Sequence, residues 1–206
     1  MTAAGNPINA GLFSRIQNIL LKPKAEWQTI EGEAASVQSL FIGYACVLAA
    51  IPAIAGIIGA LFPTCVLTVC VSHNPISAII GGVVTYVATL AGVYLNGMVI
   101  NMLAPNFGGQ QNLVAAMKVA VYSSTAAWLA GIFSVWPPIA LLGILGLYSL
   151  YLLYLGLPEL MKSPPDKALG YTIVAILISI VIYIAIGIVA AIVEGIGTAV
   201  PGVAVH

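Results

Sequence analysis

Five apolar runs, each about as long as a bilayer is thick, limit what this chain can fold into. They are VQSLFIGYACVLAAIPAIAGIIGALF (37–62), ISAIIGGVVTYVATLAGVYLNGMVINML (76–103), LVAAMKVAVYSSTAAWLAGIF (113–133), a run from Pro137 to about Leu157, and one from about Gly170 to Val193. A hydrocarbon core of about 30 Å needs about 20 apolar residues in helical form. The runs are continuous rather than alternating, which excludes the period-two pattern of a membrane β-barrel. Turn residues separate them: His73-Asn74-Pro75, Pro105 to Gly109, Trp136-Pro137-Pro138 and Pro164-Pro165. The expected fold is all-α and integral to the membrane. A five-transmembrane-helix bundle over 37–193 follows an N-terminal segment, 1–36, and precedes a short external tail, 194–206.

Charge sets the orientation. Only 6% of the residues are charged, six Lys+Arg and six Asp+Glu, against about 25% in soluble domains. So few charges cannot coat a surface in water, and six scattered basic residues cannot build a face for nucleic acid. With the N-terminus in the cytoplasm, Arg15, Lys22, Lys24, Lys118, Lys162 and Lys167 all lie on or near the inner side. This satisfies the positive-inside rule and places the C-terminus outside. The expected setting is the cytoplasmic (inner) membrane, multi-pass. Residues 1–36 are mixed and polar, without the short apolar stretch of a cleavable signal, so the first run reads as an uncleaved anchor.

The N-terminal segment has a helical period of its own. NAGLFSRIQNILLKP (9–23) puts Leu12, Phe13, Ile16, Ile19 and Leu20 on one face and Arg15, Gln17, Asn18 and Lys22 on the others. That is the pattern of an amphipathic interfacial helix. Trp27 and Ile30 form a second short apolar face, with Trp27 suited to the headgroup layer. Two placements satisfy the pattern: flat on lipid, or against the underside of the membrane domain.

Polar residues inside the runs are the candidate functional groups. Lys118 lies five residues into the third run, where its stem can reach the interface or its charge can serve an ion or substrate. Asn96 and Asn101 lie in the second run, and Tyr122, Ser123, Ser124 and Thr125 form a polar block in the third. Tyr148, Tyr151 and Tyr154 recur at every third position of the fourth. In lipid such groups must bond to neighbouring helices. They are therefore either inter-helix contacts or the lining of a polar path. Pro52 should kink the first run. Small residues such as Ala49, Ala53, Gly56 and Gly59 allow close helix contact, including contact between copies in a homo-oligomer.

The stretch GLPELMKSPPDKALGYT (156–172) carries four of the twelve charges. It reads as a loop in water, with Gly156 and Pro158 ending the fourth span and Glu159 and Asp166 as local partners of Lys162 and Lys167. Pro158, Glu159, Lys162, Asp166 and Lys167 then form a candidate contact surface for a protein partner on the cytoplasmic side. On the outer side, Cys65 and Cys70 are a candidate disulfide, since that compartment permits one. Cys46 reads as a small packing residue.

No catalytic set emerges. His73 and His206 are the two histidines, Asp166 is the one aspartate, and no His/Cys cluster has metal spacing. Gly108-Gly109 is a turn rather than a phosphate loop. No enzyme activity and no cofactor is expected.

Four stretches carry a family likeness: ILLKPKAEWQTIEGE (19–33), NFGG (106–109), KVAVYSSTAAWLAGIF (118–133) and LGLYSLYLLYLGLPELMKSPPDKALGYT (145–172). They resemble the bacterial branch of the Yip family, five-helix membrane proteins named for Ypt/Rab-interacting relatives. The resemblance implies five spans, a cytoplasmic N-terminus and no catalytic residues. In that family the third span often has a proline between its YS-type turn and the tryptophan. Ala126 stands there in this chain, which removes the proline as a reason for a kink. Eukaryotic relatives associate with prenylated Rab-type GTPases, a partner that is not carried over. The expected role is membrane organisation or scaffolding of a partner through the N-terminal segment and the 158–170 stretch. The alternative is a channel or transporter for a small molecule or ion, its path lined by Asn96, Asn101, Lys118 and the tyrosines.

Overall fold

The computed structural model describes residues 11–62, 64–66, 69–71 and 75–198. Residues 1–10, His73, His206 and the tail from 199 lie outside the described residues. Helix α1 covers Leu12–Leu21, and helix α2 covers Pro23–Gly32 with its proline in the first turn. Five helices long and apolar enough to cross a membrane follow. Span one is Val37–Ala60, span two Pro75–Phe107, span three Leu113–Val135, span four Pro138–Met161 and span five Pro165–Ile188. The helix of span five continues to Thr198. Between spans one and two lies a small antiparallel hairpin, β1 (Thr64–Val66) and β2 (Val69–Val71), whose register sets Cys65 opposite Cys70.

Span three is the centre of the bundle. Every residue from Ala116 to Ser123 is buried, and spans one, two and four all pack on it. Span five lies against spans two and four. Span one starts at a capping box, with the Ser36 hydroxyl accepting from the Ser39 amide and the Ser39 hydroxyl accepting from the Ser36 amide. Pro52 sits inside its helix. The backbone of Gly131 fits against that proline, so closely that a Cβ on Gly131 would come within 2.5 Å of the ring.

The α-helix of the third span is interrupted without a proline. Its helix breaks at Ser124 and restarts at Thr125. The Ser124 hydroxyl donates to the Ala120 carbonyl at 2.8 Å, and the Thr125 hydroxyl to the Tyr122 carbonyl at 2.7 Å. Side chains that bond back to the preceding turn bend helices. The polar block thus accompanies an interruption that no proline imposes.

Span four begins in 3-10 geometry, Pro137–Leu147, and becomes α-helical from Tyr148. With three residues per turn, Ala140, Gly143 and Gly146 fall in one row. That row faces Ala127, Ala130 and Gly131 of span three. A Cβ on Gly146 would stand 3.2 Å from the Ala127 Cα, so the two backbones approach closely there.

The helix of span four does not end at Pro158. It runs on to Met161, and only residues 162–164 separate it from span five. The 158–170 stretch is therefore two helix ends joined by a tight turn, not a loop. Pro158 removes one backbone bond, but Leu157, Leu160 and Met161 are buried and hold the last turn in place. Lys162 makes the turn with φ +55°, a left-handed conformation rare outside glycine.

The α-helix of span two, Pro75–Leu103, and the whole of span four are each about 43 Å long from their residue counts and rise, against about 30 Å of hydrocarbon. The end carrying Glu159, Lys162, Asp166 and Lys167 must be the one that projects, since a charge at membrane depth costs about 2.5–3.5 kcal/mol on insertion scales. It is called the charged end below.

Candidate functional site: a charged latch and a groove inside the membrane

Helices α1 and α2 are docked on the charged end rather than splayed on lipid. Ile19, Trp27 and Ile30 are fully buried. Trp27 lies edge-on to Tyr122, ring centroids 6.4 Å apart, and fills the space above Gly156. A Cβ at position 156 would be 2.7 Å from the indole, so only glycine admits it. Trp27 is thus a packing residue, not a headgroup anchor. Its indole N–H has no acceptor among the described residues. Phe13, on the expected apolar face of α1, is 78% exposed instead, and Arg15 takes the inward place.

Arg15 is the hub of the docking. Its guanidinium donates to the carboxylates of Glu26 and Glu33 and stands 5.7 Å over the Tyr122 ring. Burial pulls its pKa down, but the Glu33 hydrogen bond and the charges of Glu33 and Glu26 outweigh this and leave it raised. Lys118, 5% exposed, does not face an open path. Its ammonium donates to the backbone carbonyls of Ile30 (2.7 Å) and Glu33, capping the end of α2. A cation is favourable at that end of a helix. The Tyr148 hydroxyl donates to the Leu20 carbonyl at 3.0 Å, and Lys162 pairs with Glu31 rather than with Glu159.

The NFGG motif belongs to the same assembly. Gly108 has φ +70°, and the Gln110 amide donates to the Met161 carbonyl at 2.8 Å. A side chain on Gly109 would strike that carbonyl at 2.7 Å. Phe107 stacks on Tyr171 with centroids 5.0 Å apart, and the Tyr171 hydroxyl donates to the Ile100 carbonyl. Motifs far apart in sequence are thus joined into one face. Asp166 and Lys167 are exposed on it, and Pro158 and Glu159 are half-buried.

The candidate path residues do not line one path. Tyr122 is packed between Trp27 and Tyr44, and Tyr44 bonds the Thr125 hydroxyl at 2.8 Å. Tyr151 is exposed on the outside of span four. Asn101 keeps a buried Oδ1 without a partner among the described residues. Asn96, Ser123 and Ser124 do come together, along with Ser149, Ser179 and Tyr183, around a groove of about 250 Å³. Ser179 and Tyr183, one helical turn apart in an otherwise apolar run, were the legible signal for its far wall. Arg15, Glu26, Glu31 and Glu33 had no such signal, because their pairing depends on how α1 and α2 fold back.

Among the described residues no group of three or more His, Cys, Asp and Glu side chains is placed to hold a metal ion. No curated protein and no solved structure matches the chain. The family model of the Yip1 domain matches residues 18–188, from α1 to the last residue of span five. With five membrane-crossing helices and that match over most of its length, the chain is a multi-pass membrane protein of the Yip1-domain family.

Proposed function

We propose that this protein is a non-enzymatic scaffold that presents a preassembled face to a protein partner at the membrane surface. The latch carries the reading. Arg15 and Lys118, the two most deeply placed cations of the charged end, are committed to internal bonds that fasten α1 and α2 to the bundle. Lys22, Lys24, Asp166 and Lys167 remain exposed for contact. The distribution of basic residues supports a cytoplasmic position for this face in an inner membrane. The small-residue faces of the spans leave room for a homo-oligomer.

The test is site-specific photo-crosslinking in membranes from Lys24 and Lys167, with a probe at exposed Leu141 as control. A discrete adduct at the first two positions that is lost in Arg15→Ala, with insertion unchanged, supports the scaffold. Equal labelling at all three positions overturns it.

The transport reading draws support from the cluster around Asn96. Against it, Lys118 and Tyr122 face α1 and α2 instead of that cluster. Saturable solute flux into liposomes, abolished by Asn96→Ala, would replace the scaffold with a transporter.

A further inference from the structure

The groove beside Asn96 has an imbalance of hydrogen-bond groups. Its floor is the break in span three, where the Ser123 and Ser124 hydroxyls both donate to the Ala120 carbonyl. Ser179 has one proton and two acceptors in reach, the Ala175 carbonyl at 2.6 Å and Asn96 Oδ1 at 2.8 Å. Whichever it chooses, the Asn96 amide keeps at least one N–H with no acceptor among the described residues. The Ser149 oxygen accepts the Ala127 amide at 2.9 Å, while its own proton has no such acceptor. Nor does the Tyr183 hydroxyl. Donors are therefore left over on spans two, four and five. An unpaired donor away from water costs several kcal/mol in hydrocarbon.

The groove opens sideways. Leu150 and Ile180 line its edge and are exposed on the outside of the bundle. In a membrane protein that exterior is lipid. Ser149 lies twelve residues from the charged end of span four, about 18 Å along the helix. Roughly 13 Å of that length projects beyond a hydrocarbon core of about 30 Å. The groove thus sits just inside the hydrocarbon boundary, where the glycerol ester carbonyls of a lipid leaflet begin. No charged residue lines it, so it is not built for a headgroup.

We propose that this groove is a phospholipid site. The ester carbonyls of one diacyl lipid, in the leaflet nearer the charged end, accept hydrogen bonds from Asn96, Ser149 and Tyr183. An acyl chain leaves past Leu150 and Ile180. The chemistry recognised is a pair of uncharged acceptors attached to apolar chains. This goes beyond the scaffold reading and does not depend on it.

The experiment uses the full chain in phosphatidylcholine nanodiscs doped with a diester phosphatidylcholine that carries a diazirine close to its carbonyl. After irradiation, labelled peptides are mapped by mass spectrometry. Labelling is expected around Leu150 and Ile180, and it should fall at least about fivefold in Asn96→Leu, the worth of one net hydrogen bond. Leu150→Trp, which blocks the opening and leaves every donor in place, should lower it similarly. Background labelling near Leu141, at the other end of span four, should not change. With the wild-type chain, unlabelled diester lipid should compete at least about fivefold better than its diether analogue, which lacks carbonyls. Equal competition by diester and diether lipids overturns the proposal, as does labelling that neither substitution lowers.

Discussion

Lys118 reaches back 88 residues in sequence and donates to the Ile30 carbonyl at 2.7 Å. A lysine near a membrane surface thereby becomes the C-terminal cap of a short helix on the other side of the contact. Lys118→Met should leave the Glu33 carbonyl without a donor among the described residues, at about 1–3 kcal/mol, while the Ile30 carbonyl keeps the Glu33 amide. Limited trypsin digestion reads the result, since Lys24, which is followed by Ala25 and not by a proline, is exposed in the first turn of α2. Cleavage there should accelerate in the variant, with the spans still protected. Unchanged cleavage would mean that the cap does not hold the latch.

Removing Arg15 should cost more than removing either of its partners. Arg15→Met leaves Glu26 and Glu33 facing one another, and breaking a buried pair costs about 3–5 kcal/mol. Arg15→Met combined with Glu26→Gln and Glu33→Gln should recover part of the loss. Thermal unfolding in detergent across this series measures it. Because the pKa of Arg15 is raised above its ordinary value, its contribution is fully present below that ordinary value and is lost only at still higher pH. The wild-type latch should therefore not loosen through Arg15 between pH 7 and pH 10.

Gly156→Ala tests the tryptophan packing. The new Cβ would meet the Trp27 ring at 2.7 Å and must displace it. Overpacking of that kind costs about 1–3 kcal/mol. The Trp27 emission, read in a background with Trp128 and Trp136 changed to Phe, should shift to the red as the ring leaves its site.

The hairpin register predicts the redox state of two cysteines. Cys65 and Cys70 are directly opposed across antiparallel strands, where Cα atoms lie about 4.5–5.5 Å apart, within disulfide range. Chain purified under non-reducing conditions and denatured should take one thiol label, at Cys46. After reduction it should take three. Three labels without reduction would rule the bridge out.

Lys162→Gly separates strain from pairing. A left-handed residue other than glycine costs about 1 kcal/mol or more, while an exposed pair such as Lys162–Glu31 contributes about 0–1 kcal/mol. The substitution should therefore leave stability equal or slightly higher. Lys162→Ala, which keeps the strain and loses the pair, should lower it.

The five spans were readable because uninterrupted apolar runs have one solution in a bilayer. The turn at 162–164 was harder, since Pro158 and Pro164-Pro165 together look like a loop. Burial of Leu160 and Met161 overrides the first proline. The placement of Arg15 could not be read from its helical face, because a polar position faces lipid, water or a partner according to what folds against it. Here the partners are Glu26 and Glu33, on the next helix and just beyond it. The candidate path residues were identified by type, but type does not say which of them already have partners. The break in span three shows the same limit: with Ala126 in place of a proline, it falls at Ser124, whose hydroxyl bonds back to the Ala120 carbonyl.

The opening segment of span four has a mechanical consequence. Its eleven residues from Pro137 to Leu147 rise about 2.0 Å each in 3-10 form, against about 1.5 Å in an α-helix. Rewinding them would shorten the span by about 5 Å. That is comparable to the difference in thickness between thin and thick biological bilayers. The row of Ala140, Gly143 and Gly146 has little side-chain bulk to resist the rotation. Span four thus contains an adjustable length, placed at the end of the bundle farthest from the latch.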